Sequence, residues 1–79
     1  MPNKPLFIRA EWDDEAEVWF ATSDEVAGLA TEEATLEGLI RKLKVMIPEL
    51  LEANELGGEQ EILFELFTRR FEFTHRAEV

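Results

Sequence analysis

The sequence predicts a small α+β domain of order β-β-β-α-β, in which one helix packs across an antiparallel sheet. Three observations support this class. The chain has 79 residues, enough for one domain with a modest core. Apolar and polar residues alternate in the first third and again near the end, which is typical of strands. Between these parts, apolar residues recur at the helical period. We therefore expect one domain over residues 1–79.

Three short strands are expected before the helix. They are residues 5–13, 17–22 and 29–32. The second carries an aromatic side chain on each face, Trp19 and Phe20, which favours an interior position in the sheet. The acidic segment between the first two strands fits a hairpin turn. Gly28 permits a positive φ in the loop before the third strand.

The helix is predicted from Thr35 to about Asn54. Thr35 is a good N-cap, and Glu37 lies in the first turn, where the helix dipole favours an acid. Pro48 removes one backbone hydrogen bond, so we expect a kink there and not an end. The apolar positions form one stripe, namely Leu36, Leu39, Ile40, Leu43, Met46, Ile47, Leu50 and Leu51.

A long last strand is expected over residues 60–75. Its apolar residues change face halfway: Ile62, Phe64 and Leu66 share one face, whereas Phe71, Phe73 and His75 share the other. With Leu63 and Phe67 also apolar, the first half is expected to be buried on both faces. The second half would project and pair with another subunit. We therefore expect residues 60–79 to serve in dimerisation, with Phe67, Phe71 and Phe73 at the interface.

Charge and composition exclude several classes of protein. The chain has 18 Asp and Glu against 8 Lys and Arg, a net charge of −10. This balance argues against a nucleic-acid-binding surface and favours a basic partner or none. The absence of Cys excludes disulfides and thiolate chemistry. No apolar run reaches membrane-spanning length, and the N-terminus lacks the layout of a signal peptide, so a cytoplasmic location is expected.

No catalytic constellation is visible in the sequence. His75 is the single histidine, and no Cys or second His completes a metal site. The acids between residues 13 and 24 do not follow the spacing of a calcium loop. No Gly-x-Ser-x-Gly elbow or Gly-rich phosphate loop is present. We therefore expect a protein that is not an enzyme, with no catalytic residue, metal or cofactor.

The acidic hairpin and the second strand are followed by the loop Glu25-Val26-Ala27-Gly28. Thr31 follows that loop, and Thr35 opens the helix. In these features the middle of the chain, about residues 6–54, resembles the HicB antitoxin-like family, in particular its small, uncharacterised single-domain bacterial branch. The family has a loop similar to Asp-Leu-Pro-Gly at the place of residues 25–28, and Ala27 replaces the usual loop proline.

The resemblance implies a partial ribonuclease-H-like fold without the nuclease carboxylates, and homo-oligomers. It also implies masking of HicA, a small basic RNA-cleaving toxin. Nothing after residue 76 could form the DNA-binding segment of full HicB proteins, so no direct DNA binding is expected. The alternative is a stand-alone homodimer with no toxin partner. The residues expected to bind the partner are Asp13, Asp14, Glu15, Asp24, Glu25, Val26 and Gly28.

Overall fold

A mixed four-stranded sheet with one helix across it forms the domain. The computed structural model describes residues 4–56 and 61–77. The strands run in the spatial order β3-β2-β1-β4. The α+β class and the order β-β-β-α-β are confirmed. The elements are β1 (Leu6–Asp13), β2 (Val18–Thr22), β3 (Ala30–Glu33), α1 (Leu36–Ala53) and β4 (Phe64–Arg69).

The sheet is mixed, not fully antiparallel as expected, because β4 lies parallel to β1. β2 is antiparallel to both of its neighbours, so β1 and β3 run in the same direction. α1 then carries the chain from β3 to the opposite edge of the sheet. A helical connection of this length returns the chain to the end where β3 began, so β4 runs in the same direction as β3.

The core lies between α1 and one face of the sheet, which we call the inner face. Alternation along each strand decides which side chains reach it. The opposite, outer face is not covered by any helix or loop among residues 4–56 and 61–77. The buried core residues are Ile8, Ala10, Trp19, Ala21, Val26, Leu29, Leu39, Leu43 and Ile47.

The helix has the predicted ends. Thr35 is the N-cap, and its Oγ1 accepts a hydrogen bond from the Gly38 amide at 3.0 Å. Asn54 is the C-cap, and its side-chain amide donates to the Leu50 carbonyl at 2.8 Å. The helix continues through Pro48, as expected. The kink near Pro48 stays a prediction.

The last strand is shorter than expected. It covers Phe64–Arg69, whereas residues 70–77 belong to no strand and are exposed. The start of the expected strand, residue 60, lies outside the described residues. Leu63 and Phe67 are each about half exposed, so the expectation of burial on both faces is wrong. The reason is that α1 covers the inner face alone.

The exposed segment 70–77, which we call the tail, makes the molecule long. The Cα radius of gyration is 15.7 Å, and the longest dimension is 61 Å. A compact chain of this length has a radius of gyration of about 12 Å. The tail therefore projects from the domain.

Candidate protein-binding surface

The acidic hairpin turn between β1 and β2 is held by its own carboxylates. The amides of Glu15 and Ala16 donate to Asp13 Oδ1 at 3.0 and 3.2 Å. The Trp12 indole N–H donates to Asp14 Oδ1 at 2.8 Å. Glu17 closes the turn with φ 58°. These bonds fix two of the predicted partner-binding acids, Asp13 and Asp14, in place on an exposed turn.

The loop after β2 is tied to the start of β1. Ser23 Oγ donates to the Phe7 carbonyl at 2.7 Å, and Glu25 Oε1 accepts from the Phe7 amide at 2.6 Å. Asp24 pairs with Arg9 at 3.6 Å. The two predicted acids of this loop therefore already have partners within the chain.

Two other predicted partner-binding residues of this loop shape it. Val26 is fully buried, so its side chain packs in the core and cannot reach a partner. Sequence reasoning placed it at the surface because a loop position gives no sign of burial. Gly28 has φ +84° and lies in a turn closed by a 3.1 Å bond from the Leu29 amide to the Val26 carbonyl. Its conformation is one that favours glycine.

The structure separates the predicted partner-binding residues into two groups. Asp13, Asp14 and Glu15 precede β2, whereas Asp24, Glu25 and Gly28 follow it. At about 3.3 Å per residue, a five-residue strand keeps its two ends about 13 Å apart. The predicted residues therefore do not form one contiguous patch.

A row of side chains crosses the outer face next to the hairpin. In the strand register, Glu32 lies beside Phe20, Phe20 beside Glu11, and Glu11 beside Arg69. Phe20 is 42% exposed, and its neighbour in the register on each side is a glutamate. The first three residues of this row and the hairpin acids form what we call the hairpin-end surface, which ends before the basic Arg69: Glu11, Asp13, Asp14, Glu15, Phe20 and Glu32.

Sequence reasoning missed Glu11 and Glu32 because their proximity depends on pairing between strands. The available signal was Phe20 itself, an aromatic on the face of its strand opposite to Trp19. Carboxylates on both sides of an exposed ring suit a guanidinium, which stacks on aromatic faces and bonds carboxylates in pairs. The surface is therefore chemically suited to a basic side chain.

The base of the tail is anchored on the inner face. The Arg70 guanidinium lies 4.4 Å from the centre of the Trp12 ring and pairs with Glu72. Trp12 in turn contacts Trp19 edge-on, with ring centres 5.3 Å apart. This cluster fixes where the tail leaves the sheet, close to the hairpin-end surface.

A groove of about 200 Å³ lies between α1 and β4, and its lining is apolar apart from one lysine. Within 4–56 and 61–77, no three His, Asp or Glu side chains lie together as metal ligands would. Over the same ranges, the helix lacks the apolar length that a membrane crossing requires. The groove residues are Leu43, Lys44, Ile47, Pro48, Ile62 and Phe64.

Fold and surface together define a class: a small α+β domain whose single helix covers one face of a mixed sheet and leaves the other open. The chain belongs to the family described as Domain of unknown function (DUF1902), whose model matches residues 5–75. It is similar to the crystal structure of hypothetical protein TTHA1013 from the extremely thermophilic bacterium Thermus thermophilus. That similarity has 49% identity and a TM-score of 0.71, and covers 91% of this chain and 99% of the other. No curated protein matches the chain.

Proposed function

We propose that this protein is a small, non-catalytic binding module that masks a basic protein, as a HicB-type antitoxin masks a small basic RNA-cleaving toxin. The observation that carries the proposal is the exposed row Glu32, Phe20 and Glu11 on the open face of the sheet. A resemblance to the HicB family over residues 6–54 supports the same partner class.

Electrostatics supports a basic partner in two ways. The net charge of −10 attracts a cationic protein over a distance of about 10 Å at moderate salt, which raises the association rate. At contact, Phe20 offers a ring face to an arginine, and the neighbouring carboxylates accept its hydrogen bonds. Direct DNA binding is not part of the proposal, because the same charge repels phosphate.

The hairpin end is the better of the two predicted acidic groups. Asp24 and Glu25 are engaged with Arg9 and with the Phe7 amide, so a partner would have to break those contacts. Asp13 and Asp14 also accept hydrogen bonds within their own turn, each through Oδ1, but they are exposed and lie next to the row that contains the exposed Phe20 ring. We therefore assign the main contacts to the hairpin-end surface and a secondary role to Asp24 and Gly28. A cytoplasmic location fits a chain without cysteine.

The proposal is tested by isolating the tagged protein from its source cells in low salt. We expect a small basic protein to accompany it and to dissociate as salt increases. With that partner in hand, calorimetry compares the wild type with the double variant Glu11→Lys/Glu32→Lys. The variant loses two carboxylates and gains two positive charges, which repel a basic partner. Binding should therefore weaken on the order of tenfold or more.

The matched control is Glu49→Lys/Glu52→Lys, which makes the same change in net charge on exposed positions of α1. It should weaken binding much less than the hairpin-end variant. Equal losses in both variants would show that net charge acts without a specific surface. Recovery of no basic protein would contradict the proposal.

The second candidate function is a stand-alone homodimer with no toxin partner. It is favoured by the exposure of Phe71 and Phe73, which are 74% and 96% exposed in the tail. The same isolation experiment separates the two candidates. If the tagged protein is isolated from its source cells bound only to further copies of the same chain, the result supports the homodimer.

A further inference from the structure

The exposed apolar side chains of this protein are concentrated along one line. Leu63, Phe67, Phe71 and Phe73 have odd numbers, and the odd residues of β4 lie on the outer face. Phe67 contacts Phe7 on the same face, with ring centres 5.9 Å apart. An apolar stripe therefore starts beside β4 and continues along the tail.

The tail keeps the alternation of a strand beyond the point where β4 ends. Arg70 lies against Trp12 on the inner face. Arg69 instead lies 4.7 Å from the centre of the Phe71 ring, as two residues on one side of an extended chain would. The backbone from residue 69 to 71 thus has strand-like alternation and lacks a second strand beside it.

The edge of β4 away from β1 is open. β4 is the last strand in the sheet order, so along this edge its N–H and C=O groups have no strand to bond with among the described residues. Such an edge is a template for an added strand. The other edge strand, β3, is shorter and carries adjacent acids, Glu32 and Glu33, which discourage pairing.

We propose that the occupant of this edge is the tail of a second copy of this chain. Each tail pairs antiparallel with β4 of the other copy, so that the two sheets join across a twofold axis. The two interfaces are identical, as a closed dimer requires.

Twofold symmetry fixes which side chains meet. The residue on the twofold axis lies opposite the same residue of the other copy. The residue one position after it lies opposite the residue one position before it in the other copy, and so on along both strands. The residue numbers in each opposed pair are therefore either both odd or both even. Because opposed residues share a face, Phe71 and Phe73 lie on the face of Phe67 and not in the groove beside α1.

Charge distribution favours this occupant. The tail, residues 70–77, holds two Arg residues and His75 against a single acid, Glu72. The remainder of the chain is strongly acidic, and Glu65 lies on the outer face of β4 next to the stripe. A positively charged tail therefore approaches a copy whose remaining residues carry a net negative charge, with Glu65 on the edge strand.

The exposed apolar area of the stripe can supply a large part of a dimer interface. At about 200 Å² per ring, the exposed parts of Phe67, Phe71 and Phe73 total about 440 Å² per copy, which sets an upper limit of about 900 Å² for the area that these rings bury in the dimer. Stable interfaces bury about 1,200 Å² or more, and the paired strands and Leu63 supply the remainder.

The absence of native cysteine allows a direct test. Single-cysteine variants at each position from 68 to 72 are oxidised, and the disulfide-linked dimer is quantified. In an antiparallel twofold pair, only the residue on the axis lies about 5 Å from its copy, within the reach of a disulfide. We expect one position to cross-link far more than those on either side. Equal or absent cross-linking at all five would overturn the proposal.

Light scattering on the full chain gives the second measurement. The wild type should have twice the mass of the 9.1 kDa chain at micromolar concentration. Phe73→Glu should weaken the dimer at least a hundredfold, whereas Val45→Glu, on an exposed apolar residue of α1, should leave it unchanged. Circular dichroism checks that both variants fold. A monomeric wild type, or a Phe73→Glu dimer as strong as the wild type, would contradict the proposal.

Discussion

At the scale of single residues, the positions that carry the family resemblance have structural roles. Val26 is fully buried, Gly28 adopts a positive φ, and Thr31 is nearly buried on the inner face. Thr35 caps the helix. These residues specify the loop and the start of α1.

Thr35 gives the clearest prediction at this scale. Thr35→Ala removes the acceptor for the Gly38 amide, and we expect the free energy of unfolding to fall by about 1 kcal/mol. Thr35→Ser retains the hydroxyl and should lose less than half of that. Urea denaturation measures both variants. Equal losses would mean that the threonine methyl group, and not the cap, stabilises the helix.

At the scale of elements, local signals predicted α1 closely. The N-cap threonine, the helical spacing of apolar residues and the asparagine that ends the helix are all local features of this segment. The sequence therefore located Leu36–Ala53 without knowledge of the sheet. The first three strands were also predicted to within one residue at each end. Their alternation is likewise local.

The last strand shows where local signals fail. The alternation of Phe71, Phe73 and His75 predicted a strand to residue 75, yet β4 ends at Arg69. A strand requires a neighbour, and the sequence cannot say whether that neighbour lies in the same chain. The register that brings Glu11 and Glu32 beside Phe20 was hidden for the same reason.

The buried face of α1 gives a prediction for this scale. Leu43 is fully buried, and Leu43→Ala should cost about 2–5 kcal/mol, a large part of the stability of a small domain. Val45 is 59% exposed on the same helix, and Val45→Ala should change stability by less than about 0.5 kcal/mol. Thermal or urea unfolding compares them. Similar losses would contradict the assignment of the buried stripe.

At the scale of the whole molecule, charge is the dominant property. A net charge of −10 on 79 residues favours attraction of cations and also repels the chain from itself. The outer face, the hairpin-end surface and the tail all lie outside the core. Substitutions in these regions should therefore alter the proposed binding and leave the fold intact. The proposed partner surface and the proposed dimer can thus be tested separately by mutation.

Self-repulsion leads to a salt dependence of stability. We expect the melting temperature to rise between about 0.01 and 0.15 M NaCl, because the screening length falls from about 30 Å to about 8 Å. The variant Glu49→Lys/Glu52→Lys, whose net charge is −6 instead of −10, should show a smaller rise. Differential scanning calorimetry measures both. A melting temperature that falls with salt would indicate that attractive ion pairs outweigh the repulsion.

Recognition of basic groups at the hairpin end of the open sheet face underlies the proposed function. Its most direct test is an NMR titration of the ¹⁵N-labelled chain with a hexa-arginine peptide at low salt. We expect the amide shifts to change first and most at Glu11, Asp13, Phe20 and Glu32, with little change along α1. Changes centred on Glu37, Glu49 and Glu52 of α1, or spread evenly over all acidic residues, would contradict it.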